Sequence, residues 1–256
     1  MLIDAHCHFD YPCFDGRRAA VLAECRSAGV AGLVIPGVRA RDWDRVQAVA
    51  SESPALRYCL GIHPWFIGEH GPDDLEGLET RLASSPEGCV ALGECGLDCV
   101  RGDLEQQLPW FEAQIDIAAA CAMPLVIHSV RTHDEVGACL RRRQFSGRSL
   151  VHGFSGSPEQ ALALVRQGCF LGVGGVITYH RAAKTRRALA RAPLDHLVLE
   201  TDAPDMPPEG VAKGDNAPIA LPRVFRALCD LRDEPEARIR EQLQRNVEAL
   251  YGTHWH

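Results

Sequence analysis

The stretch "LIDAHCHFDYPCFDGRR" (residues 2–18) decides between two folds. It opens as a short apolar strand and runs into an aromatic, acidic, proline-bearing turn before any helical pattern begins. An open doubly wound sheet needs a glycine-rich phosphate turn after its first strand, and "HFDYPCFDGRR" (8–18) holds no GxGxxG. A closed barrel has no such need, and it does its chemistry with side chains at the C-terminal strand ends. His6 and His8 stand at that end of the run.

Seven further runs of strand length follow: "GLVIPG" (32–37), "RYCLGIH" (57–63), "CVALGECGLD" (89–98), "PLVIHS" (124–129), "SLVHGFS" (149–155), "CFLGVGG" (169–175) and "LVLETDAP" (197–204). Each ends in Gly, Ser, Pro or polar punctuation. Helical spacing fills the gaps. "RRAAVLAECRSAG" (17–29) stops at Gly29, and "SPEQALALVRQG" (157–168) starts on Ser157 as N-cap with Pro158 in the first helical position and closes at Gly168. Two last helices are expected at about 217–231 and 234–250. Eight near-continuous apolar strands, each followed by a helix, imply parallel pairing and a (β/α)8 TIM barrel, with residues 1–256 forming one domain.

Composition narrows the class. Apolar residues make up 46% and charged residues 24%, which gives an ordinary globular chain with material for a core. The net charge of -7 argues against a protein that coats nucleic acid or anionic membrane non-specifically. Lys184 and Lys213 are the only lysines, and the eleven cysteines are scattered with no CxxC pair. Such cysteines read as reduced thiols of a cytoplasmic protein. No charged and apolar leader fits before Asp4, no run is long enough for a membrane span, and no obligatory protein partner is evident.

The unusual polar residues cluster at strand ends: His6 and His8, His63, Glu94 and Asp98, His128, His152, Glu200 and Asp202. Side chains alternate along a strand, so His6 and His8 point one way while Ala5 and Cys7 point the other. Two imidazoles spaced by roughly 6.5 to 7 Å of backbone can converge on one cation. His6, His8, Glu94, His128, His152 and Asp202 are too many donors for one tetrahedral ion, whereas two divalent ions sharing a carboxylate use them all. Such a pair generates a hydroxide near neutral pH and polarises a scissile group, so the reaction class is metal-assisted hydrolysis. Four imidazoles and two carboxylates leave Zn, Mn, Mg, Ni and Fe open as the metal.

The ordered set "DAHCHFD" (4–10), "GIHP" (61–64), "GECGLD" (93–98), "VIHS" (126–129), "VHGFSGS" (151–157) and "LETDAPDMP" (199–207) resembles the TatD family of metal-dependent hydrolases, described as deoxyribonucleases, from Met1 to about Tyr251. "VGGVITYHRAAKTR" (173–186) is similar to a run in one subgroup. The resemblance implies that His6, His8 and Asp202 bind a first metal, that Glu94 bridges, and that His128 and His152 hold the second. Related amidohydrolases use a carboxylated lysine at the bridge, which is closed here because neither lysine lies at the fourth strand end. The family usually has an aromatic after "GLD", where this chain has Cys99, so the local substrate wall differs.

Asp202 is the candidate for orienting the water and accepting its proton, with Glu94 the second catalytic residue. Glu200 is either a partner of a ligand histidine or half of a structural ion pair, and Asp98 is expected to anchor its turn. His63, Arg131, Arg181 and Lys184 are the candidate substrate contacts, the last two within "RAAKTRR" (181–187) on the active-site face. "RRRQFSGR" (141–148) precedes a strand and belongs to the solvated bottom, and the terminal "HWH" reads as a surface tail. The expected activity is cleavage of DNA phosphodiesters by a binuclear-metal-bound hydroxide. The same ligands also fit hydrolysis of a small amide, ester or lactone, and a non-catalytic metal-binding barrel is the third reading.

Overall fold

The computed structural model describes residues 1–252 and Trp255. Its strands are β1 (Leu2–Asp4), β2 (Val30–Pro36), β3 (Leu56–Leu60), β4 (Cys89–Asp98), β5 (Leu125–Val130), β6 (Ser149–Val151), β7 (Cys169–Val173) and β8 (Leu197–Leu199). They form one eight-stranded sheet in sequential order, every neighbouring pair parallel. The helices are α1 (Arg18–Ser27), α2 (Trp43–Ala50), α3 (Pro72–Ala83), α4 (Leu104–Ala120), α5 (His133–Arg142), α6 (Pro158–Val165), α7 (Ala183–Arg191), α8 (Leu221–Cys229) and α9 (Glu236–Tyr251). The Ser157 cap is present, with the Gln160 N–H donating to the Ser157 hydroxyl and the Ser157 N–H to Gln160.

Backbone bonds tie the end of the last strand to the segment just past the first: Ala5 N–H donates to Leu199 O at 2.9 Å, His8 N–H to Ala203 O at 2.9 Å, and Asp202 N–H to His6 O at 3.0 Å. The packing makes the same point. Ile3, Val34, Cys59, Ala91, Val126, Leu150, Phe170 and Val198, one from each strand, share a single apolar cluster. Outward-facing residues of eight strands cannot meet, so this layer lies inside a (β/α)8 barrel. Val247, Leu250, Tyr251 and Trp255 join it from below, and Tyr251 Oη donates to Ala5 O at 2.7 Å. Gly32 makes room for this plug, since a Cβ there would sit 2.1 Å from a Trp255 ring carbon. The second apolar cluster fills the space between barrel and helices.

The structure overturns two expectations. The "HWH" tail is not all surface, because Trp255 is buried in the barrel floor, where the apolar interior layer offers it more burial than solvent does. His254 and His256 lie outside the described residues. Ala5 does not share the outward side of Cys7; it belongs to the interior layer with Ile3, because the strand ends at Asp4 and the chain bends at Ala5. The "RRRQFSGR" run sits on the bottom as expected, where Arg142 and Arg143 pair with Glu112 and Asp116 of α4.

Candidate metal centre

The period-two alternation of strands carries the interior layer directly into the site. Two residues beyond Val126 stands His128, two beyond Leu150 stands His152, two beyond Val198 stands Glu200, and four beyond Cys59 stands His63. The first strand and the fourth break this rhythm. The bend at Ala5 turns His6 and His8 inward, and a register shift between Gly93 and Cys95 makes Glu94 an extra residue in β4 that swings toward the mouth. All six expected ligands and His63 are thereby buried in one cluster.

Glu94 organises that cluster, each of its oxygens facing a different set. Oε2 lies 3.3 Å from His6 Nε2 and 3.5 Å from His8 Nε2, and Asp202 Oδ1 lies 3.4 and 3.5 Å from the same two nitrogens. Oε1 lies 2.8 Å from His152 Nε2, 3.0 Å from His128 Nδ1 and 3.1 Å from His63 Nε2. His152 sits at the seam, its ring stacked on His6 at 3.9 Å and its Nε2 3.3 Å from His128 Nδ1. Three groups have donor atoms all within 4.8 Å of one another: His6, His152 and Asp202; His6, His8 and Glu94; and His63, Glu94 and His128.

The donor set can hold divalent metal. His6 Nδ1 and Nε2, His8 Nδ1, His152 Nδ1 and Glu94 Oε2 are buried without a hydrogen-bond partner. Unpaired buried polar atoms cost about 1–3 kcal/mol each, and two of these, His6 Nε2 and Glu94 Oε2, face the cluster, where an ion would satisfy them. His6 Nε2 and Glu94 Oε2 are close in distance yet not aligned as donor and acceptor, the arrangement of atoms that point at a common third partner. Imidazole and carboxylate donors together suit Zn, Mn, Ni or Fe better than the all-oxygen preference of Mg.

Electrostatics keep Glu94 and Asp202 ionised. Burial pushes Glu94 upward, but the surrounding imidazoles of His152, His63 and His6 and the His128 contact outweigh it and hold the group well below the usual carboxylate range. Asp202 follows the same pattern, burial being overcome first by the His6 contact and then by the neighbouring imidazoles. Burial lowers His128, but its contacts with Asp98 and Glu94 reverse the effect and raise it to about 9. Burial alone dominates at Glu200, pushed up to about 8.

Glu200 meets neither expectation. Its Oε1 accepts the Gly153 N–H, its Oε2 has no partner, and no histidine, lysine or arginine among the described residues bonds to it. It fits beside β7 only because Gly172 has no side chain, since a Cβ there would lie 2.2 Å from Oε2. Asp98 anchors its turn as expected, Oδ1 accepting the Val100 and Arg101 N–H groups at 2.8 and 2.9 Å. Sequence reasoning missed its second role, which belongs to the other oxygen. Oδ2 lies 3.0 Å from His128 Nε2 and accepts Trp65 Nε1–H at 2.7 Å. The four-residue spacing from Glu94 on a strand was the available signal, and it looked like turn chemistry.

His63 Nδ1 accepts the Trp65 N–H at 3.1 Å, which leaves the proton on Nε2 and makes that atom a donor toward Glu94 Oε1. Arg131 is exposed beyond β5 in a left-handed conformation (φ 58°). Arg181 lies over the Tyr179 ring at 4.7 Å, and Lys184 is exposed at the start of α7. Arg186 is taken by Ile177 O. These cations flank the mouth without touching the cluster.

Against known proteins, residues 3–252 match the family model described as TatD related DNase. An uncharacterized metal-dependent hydrolase of Escherichia coli (strain K12), YjjV, is 42% identical over 252 residues, covering 98% of this chain and 97% of the relative. The crystal structure of that TatD homologue superposes with a TM-score of 0.94 at 41% identity over 98% of both chains. A protein of Erwinia billingiae (strain Eb661) named 3'-5' ssDNA/RNA exonuclease TatD is 34% identical over 247 residues, 91% of this chain and 92% of its own length.

Proposed function

This chain belongs to the TatD family of metal-dependent hydrolases, and from that premise we propose that it cleaves phosphodiester bonds of single-stranded DNA with two divalent ions. The single observation that carries the reading is Glu94, whose two oxygens each face a separate set of imidazoles. His6, His8, Asp202 and Glu94 Oε2 would hold one ion, and Glu94 Oε1, His128 Nδ1 and His152 Nε2 the other. Bound there, the ions would acidify a water and neutralise charge on the phosphate under attack.

The chain's own groups do the rest. Asp202, ionised and slightly open to the mouth, orients the attacking water by hydrogen bond and takes its proton on a carboxylate oxygen. Asp98 holds the proton on His128 Nε2, which presents Nδ1 to the cluster. His63 Nε2–H, which faces Glu94 Oε1, would turn its single donor to a phosphate oxygen entering there. Burial of every one of these side chains removes competing water and strengthens each contact. Arg131, Arg181 and Lys184 are the flanking backbone contacts that a chain of net charge -7 needs for a polyanion.

The family relative named as an ssDNA/RNA exonuclease supports the nucleic-acid assignment. All eleven cysteines are free, which supports a cytoplasmic setting. No helix of the described residues is long and apolar enough to cross a membrane. The test is nucleotide release from single-stranded DNA by protein stripped and reloaded with Mg, Mn or Zn, beside Glu94→Ala prepared identically. Metal-dependent release abolished in the variant is the expected result. No release with any metal, from protein shown to hold two ions, retires the nuclease and turns the search to small esters, amides and lactones.

A further inference from the structure

One cation at the mouth is fixed to the cluster rather than merely near it. Arg101, in the turn after β4, lays its guanidinium over the Trp65 ring with the central carbon 4.1 Å from the centroid. Trp65 is 41% exposed, an unusual position for an indole on a monomer's surface. Its place is nevertheless determined: Nε1–H donates to Asp98 Oδ2 at 2.7 Å, and the ring meets His63 and His128 edge-on at 4.9 and 5.7 Å. The same Asp98 carboxylate takes the Arg101 N–H and touches His128 Nε2. Turn, indole and cluster imidazole thus hang on one group.

The Arg101 side chain meets no carboxylate or carbonyl acceptor among the described residues, so its fork of N–H donors is open to solvent. Structural arginines of this protein look different. Arg18 donates to two carbonyls and Asp15, and Arg232 to two carbonyls and Glu234. A stacked guanidinium with free donors is built to receive two acceptor oxygens of one anion, as a phosphate presents. The stacking also spares the arginine the rotamer entropy it would otherwise lose on binding. No carboxylate competes for it within ion-pair reach among the described residues.

We infer that Trp65 and Arg101 form an anion subsite that takes the phosphate next to the one being cleaved. The inference rests on the nuclease reading above and deepens it, because it makes the preferred substrate one with at least two phosphates. A small neutral ester or amide has no use for this subsite. It also supplies, from the loop after β3, an aromatic wall beside the turn in which this chain carries Cys99.

The test sets Arg101→Gln against Arg148→Gln, which removes the same charge from the exposed bottom of the barrel. Metal-reloaded proteins are assayed on a single-stranded octathymidylate and on bis(p-nitrophenyl) phosphate, which carries a single phosphate. For Arg101→Gln the oligonucleotide KM rises about tenfold with kcat altered less than about twofold, and the salt slope of log(kcat/KM) becomes shallower by about 0.7. Loss on the single-phosphate substrate is several times smaller, and Arg148→Gln moves none of these values. A readout without turnover accompanies it: anisotropy of a dye-labelled phosphorothioate octamer, bound about tenfold more weakly by Arg101→Gln. Equal losses on both substrates, an unchanged oligonucleotide KM, or a loss shared by Arg148→Gln overturns the subsite. Wild type that hydrolyses only the small diester defeats the nuclease reading instead, and the anisotropy comparison then still decides whether Arg101 binds the polyanion.

Discussion

The two sides of Glu94 are built differently. On the Oε1 side the protein supplies its own scaffold: His128 is gripped between Glu94 and Asp98, and the Trp65 amide fixes His63. On the Oε2 side His6 and His8 hang on a bent segment past the end of β1, and both nitrogens of His6 and the Nδ1 of His8 lack partners. One half is ordered by hydrogen bonds to neighbouring residues, the other by backbone placement and by the stacking of His6 on His152 and of His8 on Tyr11. On this contrast the Oε1 half is expected to keep its shape without an ion, whereas at the Oε2 half the cost of the unpaired His6 Nε2 and Glu94 Oε2 is expected to be offset when an ion fills the site.

Breaking the shared residue gives the largest effect. Glu94→Gln leaves one carbonyl oxygen for two donor sets, and it is expected to lower turnover by on the order of 10³-fold or more and to drop bound metal from two ions per chain to one or fewer. Metal analysis of gel-filtered protein decides it; two ions retained by the variant would show that Glu94 does not join the halves.

Stripping the metal separates the halves directly. After chelation, amide exchange in residues 5–10 and 201–205 is expected to accelerate about a hundredfold, with less than about a tenfold change in residues 126–130. Exchange followed by mass spectrometry reads both regions at once. Equal acceleration would mean that the Asp98 and Glu94 contacts do not order His128.

The sequence made the regular part of this site legible. His128, His152 and Glu200 follow Val126, Leu150 and Val198 by one pleat, so a correct strand assignment alone puts them on the inner face. Both departures from the period were hidden, because a bend at Ala5 and an extra residue at Glu94 leave no mark in an apolar run. The inference that His6 and His8 share a face reached the right convergence by way of a strand that actually stops at Asp4. Asp98 and Trp65 escaped for another reason: their bonds join loops far apart in sequence, which no local spacing encodes. Trp255 was read from its terminal position, while its burial depends on a floor made by all eight strands.

Asp98 offers a finer cut. Asp98→Asn keeps the shape and the turn but weakens the acceptor that holds His128 Nε2–H, and outer partners of ligand histidines are worth about 10- to 100-fold in metal affinity. The loss is expected on one ion of the two, measured by competitive titration with a chromophoric chelator. A loss spread equally over both ions would erase the distinction between the halves, and Asp98→Glu is expected to restore part of the affinity if the carboxylate itself is what matters.

The smallest effect comes from a histidine that resembles the Oε2 half but lies outside it. His133, at the start of α5, is buried edge-on against Phe154 at 5.0 Å with its Nε2 unpartnered, and no carboxylate forms an ion pair with it among the described residues. Burial first, and then the charge of Lys184, lowers it to about 4. With no acid to hold a proton or share a metal, an orphaned nitrogen is here simply a neutral imidazole. The unfolded chain binds a proton near pH 6.5 that the folded chain refuses until about 4, so this group's contribution to stability is present at neutral pH and is lost as pH falls between those values. The loss is at most about 3 kcal/mol. Urea unfolding of chelated wild type and His133→Gln at pH 7, 5.5 and 4.5 is expected to show their stability difference shifting against wild type toward acid. Parallel curves would mean that His133 finds a proton acceptor in the fold, and the contrast between a buried imidazole with carboxylates and one without them would lose its control.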